Sequence, residues 1–128
     1  MTTTQKKIKK LASKCLKMWY DIGMIEHDFV CQACGKRATQ AHHYFFKGTF
    51  PHLKYEPTNN IPLCVSCHAR LHFKDSKIVE KQIIETNGKR WLTKLEKKAY
   101  QKPQPKCPKT LAYLQSIYEK LLKHLTYE

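Results

Sequence analysis

The residues best suited to chemistry in this sequence are two Cys-x-x-Cys pairs, Cys31-Gln-Ala-Cys34 and Cys64-Val-Ser-Cys67, and the histidines beside them. Each pair offers two thiolates at the bite a tetrahedral zinc ion accepts, and four thiolates close a structural site. Gly35 suits the first knuckle, because the chain must turn sharply to aim successive amides at sulfur. The second knuckle has no such glycine and is expected to run straight into a helix. A lone pair of this kind arises by chance or as two buried thiols. Two pairs flanking a His-rich stretch read as zinc ligands. The 29 residues between the pairs exceed the spacing of a simple zinc ribbon, so something is inserted there. Cys15 reads as core and Cys107 as an exposed linker thiol.

With zinc assigned to the cysteines, His42, His43, His68 and His72 remain to be explained. His52 sits in a Pro-broken stretch and reads as an ordinary surface residue. His68 and His72 are four apart, so on a helix they share one face and chelate one metal ion. Cys67 and His68 are adjacent, about 100° apart around that helix, so its start serves two metals on different sides. A two-Cys, two-His zinc finger needs about twelve residues between its ligand pairs. Here Cys34 and His42 are separated by seven and Cys67 and His68 by none. In a strand, His42 and His43 point to opposite faces, so one binds metal while its neighbour is free to act as a base. Three imidazoles, from His42, His68 and His72, leave coordination positions open for water and phosphate, which is the mark of a catalytic site. The bland alternative is a group of surface histidines beside a zinc knuckle.

These groups need elements to hold them. Residues 5–20 carry Ile8, Leu11, Cys15, Leu16 and Trp19 at helical spacing, with Gly23 expected to end that helix. Short strands are expected near 37–43 and 61–64. Residues 49–60 read as a loop, broken by Pro51, Pro57 and Asn59-Asn60. A helix is expected from about Cys67. Ile78, Val79, Ile83 and Ile84 form an apolar face over 76–86, ended by Asn87-Gly88, and Trp91, Leu92, Leu95 and Ala99 mark another helix. Residues 101–109 are a Pro- and Lys-rich linker. A last helix carries Leu111, Leu114, Ile117, Tyr118, Leu121, Leu122 and Leu125. Its stripe either folds back on the core or pairs with another chain. The expected organisation is an N-terminal helix over 1–28, a site-bearing domain over 29–100, the linker over 101–109 and a C-terminal helix over 110–128.

The 128 residues suffice for one compact unit, and a structural metal contributes usefully at this size. Lys and Arg number 24 against 10 acidic residues, a net charge of +14 that draws polyanions. Nearly all are lysines, which bind phosphate as point charges, whereas arginine is the usual reader of guanine edges. The surface suits backbone contact more than base readout. The opening residues are basic and interrupt their apolar positions with lysine, unlike a signal peptide. No apolar run is long enough to span a membrane. The expectation is therefore a cytoplasmic, reducing compartment, where paired cysteines bind metal.

Taken in order, Cys31-x-x-Cys34-Gly35, His42-His43-Tyr44 and Asn59-x-x-Pro62-Leu63-Cys64-x-x-Cys67-His68-x-x-x-His72 resemble the zinc-knuckle branch of the His-Asn-His (HNH) endonucleases. The match covers about residues 29–73. His43-Tyr44, Leu53-Lys54-Tyr55-Glu56 and Gly88-x-x-Trp91 also resemble the NinG-type phage recombination nucleases. That group has Gly-His-Tyr where this chain has His42-His43-Tyr44, and Cys-Asn where it has Cys67-His68, and the departures favour the general HNH assignment.

The resemblance implies an α+β fold with a small ββα-metal core and a four-cysteine zinc site, flanked by N- and C-terminal helices. It implies a bacterial or phage-infected host cell and DNA as the partner. His43 becomes the general base and Asn59 the brace of its loop. His42, His68 and His72 become ligands of a catalytic divalent ion: Mg²⁺, Mn²⁺, Ni²⁺ or Zn²⁺. Hydrolysis would leave a 5′ phosphate and a 3′ hydroxyl. Tyr44, Lys47, Lys54, Tyr55 and Arg70 lie near the motif in sequence and are expected phosphate contacts. The competing readings are a zinc-stabilised DNA-binding module without cleavage, and a structure-specific (junction) or RNA nuclease.

Overall fold

The structure is a computed structural model in which residues 1–126 are described. A long helix α1 (Thr3–Glu26) opens the chain, and a two-stranded antiparallel sheet follows, β1 (Gln40–His43) and β2 (Asn60–Leu63). Four helices complete it: α2 (Val65–Phe73), α3 (Ser76–Asn87), α4 (Lys89–Ala99) and α5 (Leu111–Thr126). The result is an α+β arrangement with a four-cysteine cluster, with helices at both ends of the chain. Positions 127 and 128 of the expected C-terminal helix lie outside the described residues. No described helix is long and apolar enough to cross a membrane.

α1 starts at a capping box. The Thr2 hydroxyl accepts from the Gln5 backbone N–H and the Gln5 side chain accepts from the Thr2 N–H, so two orphan donors are satisfied. The helix does not stop at Gly23 as expected but runs on to Glu26. Gly23 has a different purpose. A Cβ there would lie 2.2 Å from the Asn60 side chain. Asn60, 1% exposed, uses the space to donate from Nδ2 to the Trp19 carbonyl at 2.8 Å. The glycine is a docking notch for β2, and tertiary packing has overruled its local preference for a helix end.

The strands pair Gln40 with Leu63, Ala41 with Pro62, His42 with Ile61 and His43 with Asn60. Every residue of β2 is buried. Pro62 is tolerated because a two-stranded sheet has only edge strands, and its carbonyl is used by the Gln32 N–H at 2.9 Å. The first strand is shorter than the expected 37–43; its N-terminal portion instead makes an isolated bridge, Val30 with Arg37, which closes the first cysteine turn.

α2 begins at Val65, earlier than expected, because the Cys64 thiol acts as its N-cap and accepts from the Cys67 N–H at 3.4 Å. The 49–60 segment is more ordered than an irregular loop. Pro51 and Pro57 each open a short 3₁₀ turn, Pro51–Leu53 and Pro57–Asn59, where a missing N–H costs nothing. Leu53, Tyr55 and Asn59 are buried within it. His52, expected to be an ordinary surface residue, is tied to the Lys98 carbonyl at 2.7 Å. Asn87-Gly88 separates α3 from α4 as expected, with Gly88 at φ +93°.

Three apolar clusters hold the elements together. Met24, Ile61, Leu63, Val79 and Ile83 pack behind the sheet and the cysteines. Leu53, Leu95 and Ala99 join α4 to the 49–60 segment. Cys15, Trp19, Ile22, Leu114 and Leu121 join α1 to α5. The apolar stripe of α5 is thus largely spent on α1 of the same chain, with Leu114 and Leu121 each contributing about 2 kcal/mol, while Leu122 and Leu125 at its edge stay exposed. Cys15 is core as expected, 0% exposed, and burial pushes its thiol up. Cys107, expected to be exposed, is half-buried.

Candidate metal centre and the histidine pair

The four sulfur atoms of Cys31, Cys34, Cys64 and Cys67 lie within 4.8 Å of one another. Cys34 Sγ and Cys64 Sγ are 3.7 Å apart, and all four thiols are free. An ion about 2.3 Å from each sulfur in a tetrahedron places neighbouring sulfurs about 3.8 Å apart, so the cluster could hold a metal ion such as zinc. The turn that builds it needs Gly35 at φ +80°, with its N–H donating to the Cys31 carbonyl at 3.0 Å. Burial opposes ionisation of Cys31, but N–H groups of Cys34, Cys64 and Ala33 outweigh it and its pKa falls to about 7. Cys34 and Cys67 go the other way: burial pushes both thiols up, reinforced at Cys67 by the neighbouring cysteines and opposed at Cys34 by the Lys36 N–H. Four thiolates cannot ionise together without a counter-charge, which a divalent cation supplies.

A second cluster lies beside the first. The ring nitrogens of His42, His68 and His72 also fall within 4.8 Å of one another. His42 comes from β1, while His68 and His72 come from successive turns of α2. His68 Nε2 and His72 Nε2 face each other at 3.1 Å. Nitrogens about 2.1 Å from one ion sit about 3.0 to 3.4 Å apart, depending on coordination number, so the spacing suits a shared ion. Gln40 Oε1 bonds His68 Nδ1. An amide oxygen only accepts, so Nδ1 carries the proton and Nε2 presents its lone pair to the cluster. Burial lowers the His42 pKa to about 4, helped by His68, His72 and His43, and burial with His72 lowers that of His68. Neutral imidazoles are the form that binds metal.

Gln40 was not singled out from the sequence. The signal was present: it lies two residues before His42 on β1 and so shares its face.

His43 is set against α1, away from these rings. It stacks on Trp19 with centroids 4.0 Å apart and planes 11° from parallel. Its Nε2 lies 2.9 Å from the Lys54 carbonyl, which can only accept, so Nε2 holds the proton and Nδ1 is the basic atom. Burial lowers its pKa, the Lys54 carbonyl opposes this, and the charges of Lys47 and Lys54 add to the lowering. Trp19 is fixed in turn, donating from Nε1 to the Glu56 carbonyl at 2.8 Å.

Asn59 is 0% exposed. Its Oδ1 accepts from the Phe45 N–H at 2.7 Å, and its Nδ2 donates to the carbonyls of Phe45 and Leu53, each at 3.1 Å. One side chain thus pins the chain leaving β1 to the segment carrying Lys54, which holds His43.

The remaining expected residues divide. The charges of Lys47 and Lys54 both reach His43. Tyr44 donates its hydroxyl to Glu80 at 3.1 Å and packs its ring on Trp91. Tyr55 is 8% exposed, with Lys54 Nζ 5.4 Å from its ring centroid. Arg70 pairs with Asp75 at 3.3 Å. These last three are engaged within the chain.

No protein-family profile, curated protein or solved structure matches this chain.

Proposed function

We propose that this chain is a metal-dependent endonuclease of the HNH type, with a ββα-metal core, hydrolysing phosphodiester bonds in DNA. One observation carries the reading. Adjacent histidines on β1 are sent to different tasks: His42 joins His68 and His72, while His43 has Nε2 tied to a carbonyl and Nδ1 left basic. Surface histidines have no reason to be sorted in this way.

In this reading His43 Nδ1 takes the proton of the attacking water, and its lowered pKa keeps it unprotonated at neutral pH. The Lys54 carbonyl and the Trp19 ring fix its tautomer and plane. Asn59 braces the loop that carries that carbonyl. His42, His68 and His72 would hold the divalent ion, with Gln40 orienting His68. The ion, when bound, neutralises charge on the phosphoryl group and on the leaving 3′ oxygen. Cys31, Cys34, Cys64 and Cys67 would hold a structural zinc that fixes the start of α2, and hence His68 and His72. The net charge of +14 attracts the substrate.

The test is cleavage of plasmid DNA with Mg²⁺, Mn²⁺, Ni²⁺ or Zn²⁺. His43→Ala is expected to retain fold, zinc and DNA affinity while losing about 10²- to 10⁴-fold in rate. Unchanged cleavage by this variant refutes the base assignment. A wild type that never cuts under any of these ions is a DNA-binding module instead. Branched DNA and RNA offered in parallel identify a junction or RNA specificity.

A further inference from the structure

Two cavities near the histidines differ in charge. The cavity beside His42 has Glu80 and Glu96 in its wall. The cavity beside the 49–60 segment, about 400 Å³ in volume, has no acidic residue in its lining. Its rim carries three lysines: Lys47, Lys54 and Lys109. Its interior is apolar, with Ile8, Tyr55 and Tyr113 among the residues that form it. The volume falls within the range of ligand sites.

Lys47 and Lys54 were expected near the site from sequence. Lys109 was not, because it belongs to the segment read as a linker. The fold brings it to the same cavity as the other two, and Lys54 feels the charge of both Lys47 and Lys109. Three like charges around an apolar hollow are mutually repulsive and persist only at a small cost. An anion relieves that repulsion, and an apolar hollow favours a flat, weakly polar group attached to the anion. A nucleotide has both parts. Lys54 also links this cavity to the candidate base, since its carbonyl accepts from His43 Nε2.

We propose that the Lys47–Lys54–Lys109 rim and its cavity hold an unstacked nucleotide of the substrate strand beside the scissile phosphate. The ammonium groups take backbone phosphates and the hollow takes the base. A duplex keeps its bases stacked and cannot fill the hollow without extruding one. The preferred substrate is therefore a strand with unpaired nucleotides: a single strand, a flap or a branch. This rests on the nuclease reading for the identity of the polymer.

The test uses full-length zinc-loaded protein carrying His43→Ala to prevent cleavage. Binding of a 2-aminopurine-labelled single strand is followed by anisotropy and fluorescence across a salt series. Lys109→Ala in that background is expected to weaken binding about five-fold and to lower the salt slope by about 0.7, the value for one single-strand phosphate contact. Lys10→Ala, on the exposed face of α1, should change neither. The single strand should bind more tightly than a matched duplex, with a change in 2-aminopurine emission that the duplex lacks. Equal losses for Lys10→Ala and Lys109→Ala, or equal binding of the duplex, overturn the inference. If wild type cleaves DNA but Lys109→Ala binds unchanged, this inference alone fails. If wild type never cleaves and Lys109 still governs strand binding, the catalytic reading and the placement beside a scissile phosphate fail, and the nucleotide site stands.

Discussion

Replacing Asn59 with alanine isolates the brace from the chemistry. The side chain is 0% exposed and makes three hydrogen bonds, to the Phe45 N–H and to the carbonyls of Phe45 and Leu53. Alanine removes all three and leaves the Phe45 N–H without its partner, and water reaches a buried site poorly. Each lost bond is worth about 1 kcal/mol, and an orphaned buried donor costs about 1 to 3 kcal/mol. The two carbonyls lose less, because the strain of an unmet acceptor is smaller. The expected destabilisation is about 3 to 4 kcal/mol. With a urea m-value of about 1.5 kcal/mol/M, the midpoint should fall by about 2 M. The assay is urea unfolding followed by circular dichroism, at saturating zinc so that metal loss does not mix with chain unfolding. Asn59→Asp, when protonated, keeps the acceptor and one donor and should fall between wild type and alanine, whereas the ionised form would face two carbonyls with a charge and fall to alanine or below. A midpoint shift of under about 0.5 M for Asn59→Ala would refute the accounting, since it would mean the loop is held elsewhere.

Further outcomes are expected. Gly23→Ala should lower stability by about 1 to 3 kcal/mol in thermal unfolding, although alanine is favoured over glycine in a helix by about 1 kcal/mol, because the added carbon would meet Asn60 at 2.2 Å. A stabilised Gly23→Ala protein would mean Asn60 is free to move. If the histidine cluster holds a divalent ion, Gln40→Ala should weaken that binding by about 10- to 100-fold in calorimetry without changing metal uptake by the four cysteines, through loss of the His68 orientation. For pH, the lowered His43 pKa keeps the ring neutral further into acid than an ordinary histidine. Cleavage should therefore persist to lower pH than an ordinary histidine base allows and decline only as pH falls through the lowered folded value. A rate that already declines above pH 7 would contradict that environment.

Much of the candidate site could be read before any coordinates, because its signals are local. Two Cys-x-x-Cys pairs fix their own bite, and His68 and His72 share a helix face by spacing alone. The errors come where a distant residue decides. Gly23 looks like a helix end until Asn60, far along the chain, occupies the notch it leaves. The 49–60 segment looks irregular because its prolines deny it helix and sheet. Its order comes from Asn59, Trp19 and Trp91, whose side chains donate to backbone carbonyls of or next to that segment. α2 starts early because a thiol caps it, a task for which serine, threonine, aspartate and asparagine are the usual signals. Lys109 is invisible to pattern because nothing in a Pro-rich stretch says where it will be carried. The partner of the α5 stripe was equally undecidable, since an apolar stripe records the need for cover and not its source.

That stripe has a consequence for the order in which the molecule comes together. The Cys15 thiol reaches the carbonyl of Leu114, 99 residues away. During synthesis the residues of the cysteine cage and of the His42–His68–His72 cluster are all present once α2 has emerged. α1 precedes them and waits longer for its full cover, with Leu11 and Cys15 lacking the α5 leucines until that helix follows. Slow ribosomal passage over residues 101–110 would lengthen that wait, and a chain released before α5 would have its cysteine cage yet expose an adhesive apolar strip.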